Sequence, residues 1–185
     1  MKKRAGFLAL LLISAVLLAG FPLGIADAEQ EALTILFTHD MHDNLLPYTV
    51  EENEQIVEQG GYARLQTVIN QERVKDPDLI LVDGGDFSMG TLFQTIFSQD
   101  APELRMLGQM GYDATTFGNH EFDFRPEGLA GSLLAAKASG ERLPQLVAAN
   151  LVFPQDDQGN IIGEDLQVLQ KAMEEYGVKD YIVID

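Results

Sequence analysis

The stretch DLILVDGGD, residues 78–86, holds four apolar residues between carboxylates and closes on Gly84-Gly85-Asp86. Four apolar residues in a row suit a strand. Two glycines after it let the backbone turn sharply and approach a ligand, with Asp86 at the tip. Three more stretches follow the same plan. LTILFTH (33–39) leads to Asp40, YDATTFGN (112–119) leads to His120, and LPQLVAAN (143–150) ends in Asn150. YIVID (181–185) reads as a further strand. These runs are apolar on both faces, which predicts strands covered on both sides.

Helical spacing fills the intervals. GYARLQTVINQERVK (61–75) sets Leu65, Val68 and Ile69 on one face. APELRMLGQM (101–110) carries Pro102 in an expected first turn, with Leu104, Leu107 and Met110 behind it. RPEGLAGSLLAAKASG (125–140) is Ala-rich but interrupted by Gly128 and Gly131. EDLQVLQKAMEEYG (164–177) spaces Leu166, Leu169, Met173 and Tyr176 helically and stops at Gly177. Strands alternating with helices predict a layered α/β fold. EENEQIVEQGG (51–61) and FPQDDQGN (153–160) read as solvated loops.

The amino terminus reads differently. MKKR, then AGFLALLLISAVLLAGF, then Ala26-Asp27-Ala28 form the three regions of a secretory signal peptide, residues 1–28, with cleavage before Glu29. Export implies a secreted or cell-envelope location with no stable membrane insertion after cleavage, since no second apolar run reaches spanning length. The remaining residues, 29–185, form one domain-sized piece. The chain carries a formal charge of −17, and the leader contributes three of its basic residues and one acidic residue. Such a field disfavours nucleic acid as a partner and favours cations. There are no cysteines, so thiolate metal sites and thiol catalysis are excluded.

In open α/β sheets, ligands bind beyond the carboxyl ends of the strands. Here those ends read THDMHD, GGDFSMG, GNHEFD and AAN, a repeated supply of oxygen and imidazole suited to divalent cations. No dinucleotide-binding Gly-x-Gly-x-x-Gly follows the first strand, and no P-loop is present. If the chain stays extended, Asp40 and His42 project to the same side and share one cation. Asp86 is placed to bridge two ions, and Asn119 offers an amide oxygen. Asp123, three residues beyond His120, is in reach to fix the imidazole tautomer and favour its protonated form.

In their order, ILFTHDMHDNLLP, GGYARL, GGDFSMGT, MGYDATTFGNHEFDF and LVAAN resemble the bacterial secreted 5'-nucleotidase family of calcineurin-like metallophosphoesterases, from about Leu33 to Asp185. The resemblance implies the amino-terminal half of an α/β/β/α sandwich, a partial domain truncated before its carboxyl-terminal half and nucleotide-binding domain. It implies two divalent metal ions (Zn, Mn, Co or similar). Asp40 and His42 would bind the first, Asp86 both, Asn119 the second, and His120 and Asp123 would form the catalytic dyad. The implied reaction is attack of a metal-activated water on a nucleotide phosphate or another small phosphoester. Related enzymes cleave 2',3'-cyclic nucleotides or UDP-sugars. A non-catalytic remnant with weak cation binding is the alternative.

Two departures stand out. The family commonly reads Asn-Asp-x-His-Gly where this chain reads His39-Asp40-Met41-His42-Asp43. His39 is expected to support or pack and Asp43 to face solvent. The family also adds later histidines, including a Gly-His-x-His motif, whereas this sequence has no histidine after His120. A longer parent chain would supply the missing half. Glu121 is expected to be structural.

Overall fold

The computed structural model describes residues 32–184. The proposed signal peptide lies outside the described residues. The elements run β1 (Ile35–Thr38), β2 (Tyr48–Glu52), β3 (Gln55–Gln59), α1 (Tyr62–Lys75) and β4 (Ile80–Asp83). A 3-10 turn at Leu92–Ile96 leads to α2 (Phe97–Asp100) and α3 (Pro102–Met110). Then follow β5 (Ala114–Thr115), a 3-10 turn at His120–Phe122, α4 (Arg125–Ala138), β6 (Gln145–Leu146) and α5 (Glu164–Tyr176).

The fold is mixed α/β with a parallel sheet in the order β1-β4-β5-β6. Ile35 lies opposite Ile80 and Phe37 opposite Val82, and β5 joins β4 through Val82 and Ala114. Parallel registry brings all four carboxyl ends to one edge, which places residues 39–43, 84–90 and 116–123 side by side.

The helices build one core against one face of this sheet. Leu81 and Leu146 from the strands are fully buried with Ile69 of α1, Leu104 and Leu107 of α3, Leu129 and Leu133 of α4, and Leu169 of α5. The glycines of α4 are a packing device: a Cβ on Gly131 would meet the Ser98 carbonyl at 2.8 Å, and one on Gly128 would strike Phe124. Gly177, with φ 96°, caps α5 as its position in the sequence implied.

Three expectations need correction. The sheet is covered on one side only among the described residues. Alternation along β1 leaves Ile35 and Phe37 exposed at 55% and 61% while Leu36 meets the core. Residues 51–61 are not a loop. Val50 pairs with Val57 in the β2–β3 hairpin, which turns at Asn53 and Glu54, both left-handed. Finally, 181–184 form no strand. The sheet edge is met earlier, where Val147 bridges Lys179, and Tyr181 and Val183 then point outward. On α1, Val68 is half exposed and Ile69 is the anchor.

Candidate metal centre

Beyond β1 the chain stays hydrogen-bonded to the segment after β4, but it does not stay extended. Asp40 donates its N–H to the Gly85 carbonyl, His42 to Asp86 and Asp43 to Phe87, each at 3.0 Å. Asp40, His42 and Asp43 are left-handed, with φ of 51°, 46° and 52°. Non-glycine residues avoid this region, and clusters of them mark functional loops. The coil, not strand alternation, brings His42 Nε2 to 3.5 Å from Asp40 Oδ1. The two do meet, by a different route from the one expected. His42 Nδ1 donates to the Ser88 carbonyl at 3.2 Å, which leaves Nε2 free as a ligand atom.

Asp86 is also left-handed, at φ 51°, after Gly85 at φ 90°. Its carboxylate accepts the His120 N–H at 2.9 Å. The Gly85 and Gly118 backbones touch, and a Cβ on Gly118 would collide with the Asp86 carboxylate. Close approach requires glycine at both positions, and the left-handed turn requires it at Gly85 besides.

His120 opens the 3-10 turn. Its Nδ1 lies 2.7 Å from Asp123 Oδ2. That carboxylate holds the imidazole pKa above its usual value, chiefly through the hydrogen bond. With Nδ1 engaged, Nε2 is the free nitrogen. The rings of His42 and His120 meet edge to face at 5.0 Å. His42, Asp86 and His120 can each present a ligand atom within 4.8 Å of the others, a separation one cation could bridge. Asn119 stands between Gly118 and His120, and its side chain has no hydrogen-bond partner among the described residues. The structure thus brings Asp40, His42, Asp86, His120 and Asp123 to one edge. It groups His120 with His42 and Asp86 more closely than the expected division into ligands and dyad implied.

His39 is exposed. It pairs through Nδ1 with Asp40 and lays its ring against Phe37, 5.4 Å away. The imidazole beside Asp40 holds that carboxyl below its usual pKa.

Asp43 overturns its expectation. It is fully buried, because its left-handed backbone turns the side chain under the 88–90 turn. There its Oδ2 accepts the N–H groups of Met89 at 3.1 Å and Gly90 at 3.3 Å. Glu121 is structural in a sense that bears on the site. It too is fully buried. Its Oε2 accepts Gly118 N–H at 2.7 Å and Asp86 N–H at 3.0 Å. Its Oε1 accepts Ser88 N–H at 3.0 Å and Ser88 Oγ–H at 2.8 Å. One carboxylate thereby clamps the loop after β4 to the loop after β5. The sequence carried a signal for this: a glutamate reaching back three residues to a backbone N–H is half of a capping box. A cavity of about 920 Å³ along Asp113, Arg142 and residues 178–184 contains none of these residues.

A parallel sheet gathers carboxylates and imidazoles at its carboxyl edge, on strained loops, and such a donor set suits a divalent cation. Residues 33–171 match the calcineurin-like phosphoesterase family, and the chain belongs to it. It is similar to the 5'-nucleotidase of Bos taurus, with 40% identity over 106 residues, covering 55% of this chain and 18% of that protein. It is similar to the snake venom 5'-nucleotidase of Gloydius brevicauda, with 32% identity over 177 residues, covering 93% and 29%. Among solved structures, the 5'-nucleotidase precursor of Thermus thermophilus superposes with a TM-score of 0.56 at 27% identity, covering 68% of this chain and 24% of that one. The chain therefore spans less than a third of each of these relatives.

Proposed function

We propose that this chain supplies the amino-terminal share of a two-cation site that hydrolyses nucleotide phosphoesters in an exported protein. The observation that carries the reading is the convergence of His42, Asp86 and His120 from three separate strand ends, with Asp40 beside them. The donor set fits divalent cations: imidazole nitrogen and carboxylate oxygen, with His42 Nε2 left free by its bond to Ser88. In this reading Asp40 and His42 would hold one cation, Asn119 would hold the other, and Asp86 would serve both. The cations supply polarisation of the phosphate and a nucleophile usable at neutral pH.

The chain's own residues do the rest. Asp123 engages His120 Nδ1 and favours a protonated ring, which leaves Nε2–H as a hydrogen-bond donor on a ring that packs against His42. That donor meets either the phosphoryl oxygens or the leaving group. Glu121 and Asp43 take no part in the chemistry and keep the loops in place. The names of the relatives favour nucleotide 5'-phosphates as substrate. Residues 29–185 carry the metallophosphoesterase portion, with 1–28 as the signal peptide.

The imidazoles that the chain offers are His39, His42 and His120. The corresponding second reading is that this chain alone binds cations weakly and turns over little, with further ligands coming from a longer chain. Release of phosphate from AMP by the purified protein, measured with manganese, cobalt or zinc, tests both readings. Metal-dependent release abolished by Asp86→Asn supports a working centre. Cation binding without release supports the partial site. Neither binding nor release rejects the assignment.

A further inference from the structure

We propose that Asp43 and Glu103 form a buried carboxyl pair that positions His42, which makes Glu103, on a helix carrying no ligand, a positioning residue of the metal centre. The proposal deepens the cation-site reading and rests on it only for its functional consequence.

Asp43 is held at every polar atom but one. Its N–H goes to Phe87, its carbonyl accepts Thr91 Oγ–H at 3.1 Å, and its Oδ2 accepts Met89 and Gly90. Its Oδ1 is fully buried and has no hydrogen-bond partner among the described residues. Glu103, in the first turn of α3, is equally buried, and neither of its carboxyl oxygens has a hydrogen-bond partner among the described residues. Its carboxyl faces Asp43. The buried Tyr62 hydroxyl, from α1, is unpartnered too and senses both carboxylates.

An unpaired buried carboxylate is costly, and two adjacent ones do not both stay charged. Burial first, then Asp43, pushes Glu103 up to about 9, so it carries a proton at neutral pH. A neutral Glu103 has one O–H to give, and Asp43 Oδ1 is the free acceptor beside it. That bond anchors the loop after β1 to α3. Asp43 in turn holds Met89, itself left-handed at φ 67°, and Gly90, where a Cβ would strike the His42 carbonyl. Ser88, the residue before them, gives His42 its Nδ1 partner. Both the backbone and the ring of His42 are therefore fixed through Asp43.

The test compares Glu103→Gln, which keeps a donor for Asp43, with Glu103→Met, which keeps only the shape. Two readouts apply to each: hydrogen exchange of the Met89 and Gly90 amides without metal, and binding of manganese alone followed by its paramagnetic resonance. The proposal expects Glu103→Met to speed exchange of those two amides at least tenfold and weaken manganese at least fivefold. Glu103→Gln should stay within twofold of the parent in both. Asp43→Gly, tolerated by the left-handed backbone, should match Glu103→Met, and the double variant should add nothing further. Equal exchange in all variants overturns the proposal, as does a Glu103→Gln variant that loses as much as Glu103→Met. If Glu103→Met does not fold cooperatively, the Gln variant alone decides, because loss of protection there contradicts a donor-only role. A parent protein that binds no manganese refutes the cation site, while the exchange data still judge the pair.

Discussion

Two loops of the candidate centre are built in opposite ways. Residues 39–43 place three non-glycine residues in the left-handed region and draw their support from distant segments. Residues 118–123 keep ordinary backbone angles, coil into a single 3-10 turn, and carry their own clamp in Glu121. The first loop stores strain that its surroundings must hold. The second is nearly self-sufficient, and it lends its clamp to Asp86 as well. Damage to the second loop's clamp should therefore spread furthest.

Glu121→Ala is expected to have the largest effect. It strips acceptors from Asp86, Ser88 and Gly118 at once and should lower unfolding free energy by about 3–5 kcal/mol, measured by chemical denaturation. Gly118→Ala comes next. Its methyl group would collide with the Asp86 carboxylate, and overpacking of this kind costs about 1–3 kcal/mol. In the first loop, an equivalent alanine at Asp40 would touch no clamp, so its effect should fall on cation binding more than on stability.

How much of this contrast was readable from the sequence depends on the length of the interaction. The parallel sheet, its polar carboxyl edge and the caps of α3 and α5 follow from local patterns, and so did the gathering of His42, Asp86 and His120 at that edge. The fate of Asp43 did not. A carboxylate beside a ligand is usually solvated, whereas Asp43 is buried under the turn at 88–90, a segment that follows a different strand. The left-handed backbone of Asp40 and His42 was hidden for a related reason: the backbone bonds to residues 85–87, rather than the side chains of the loop itself, hold it. The single-sided sheet was equally illegible, since an apolar strand reads alike whether or not its second face is covered.

Two smaller effects sharpen the comparison through pH. Glu103 has its folded pKa raised from 4.5 to about 9. Its neutral form is favoured by the fold, so the stability it contributes is complete below pH 4.5 and is lost as pH rises toward 9. Thermal midpoints should therefore fall across that window, with a shallower fall in Glu103→Gln. In the second loop the sign is the same but the group is basic. His120 has a raised pKa owing to Asp123, so its contribution is present below about 6.5 and is lost as pH rises through the folded value. Asp123→Asn should move the His120 imidazole titration downward in metal-free protein, read by NMR, with little change in stability because the pair is exposed.

With only three histidines, the imidazole NMR spectrum tests directly whether the two loops make one centre. Substoichiometric manganese should broaden the His42 and His120 resonances together, and Asp86→Asn should abolish the effect on both. Independent broadening of the two rings, or joint broadening that survives the loss of Asp86, would contradict a shared cation site.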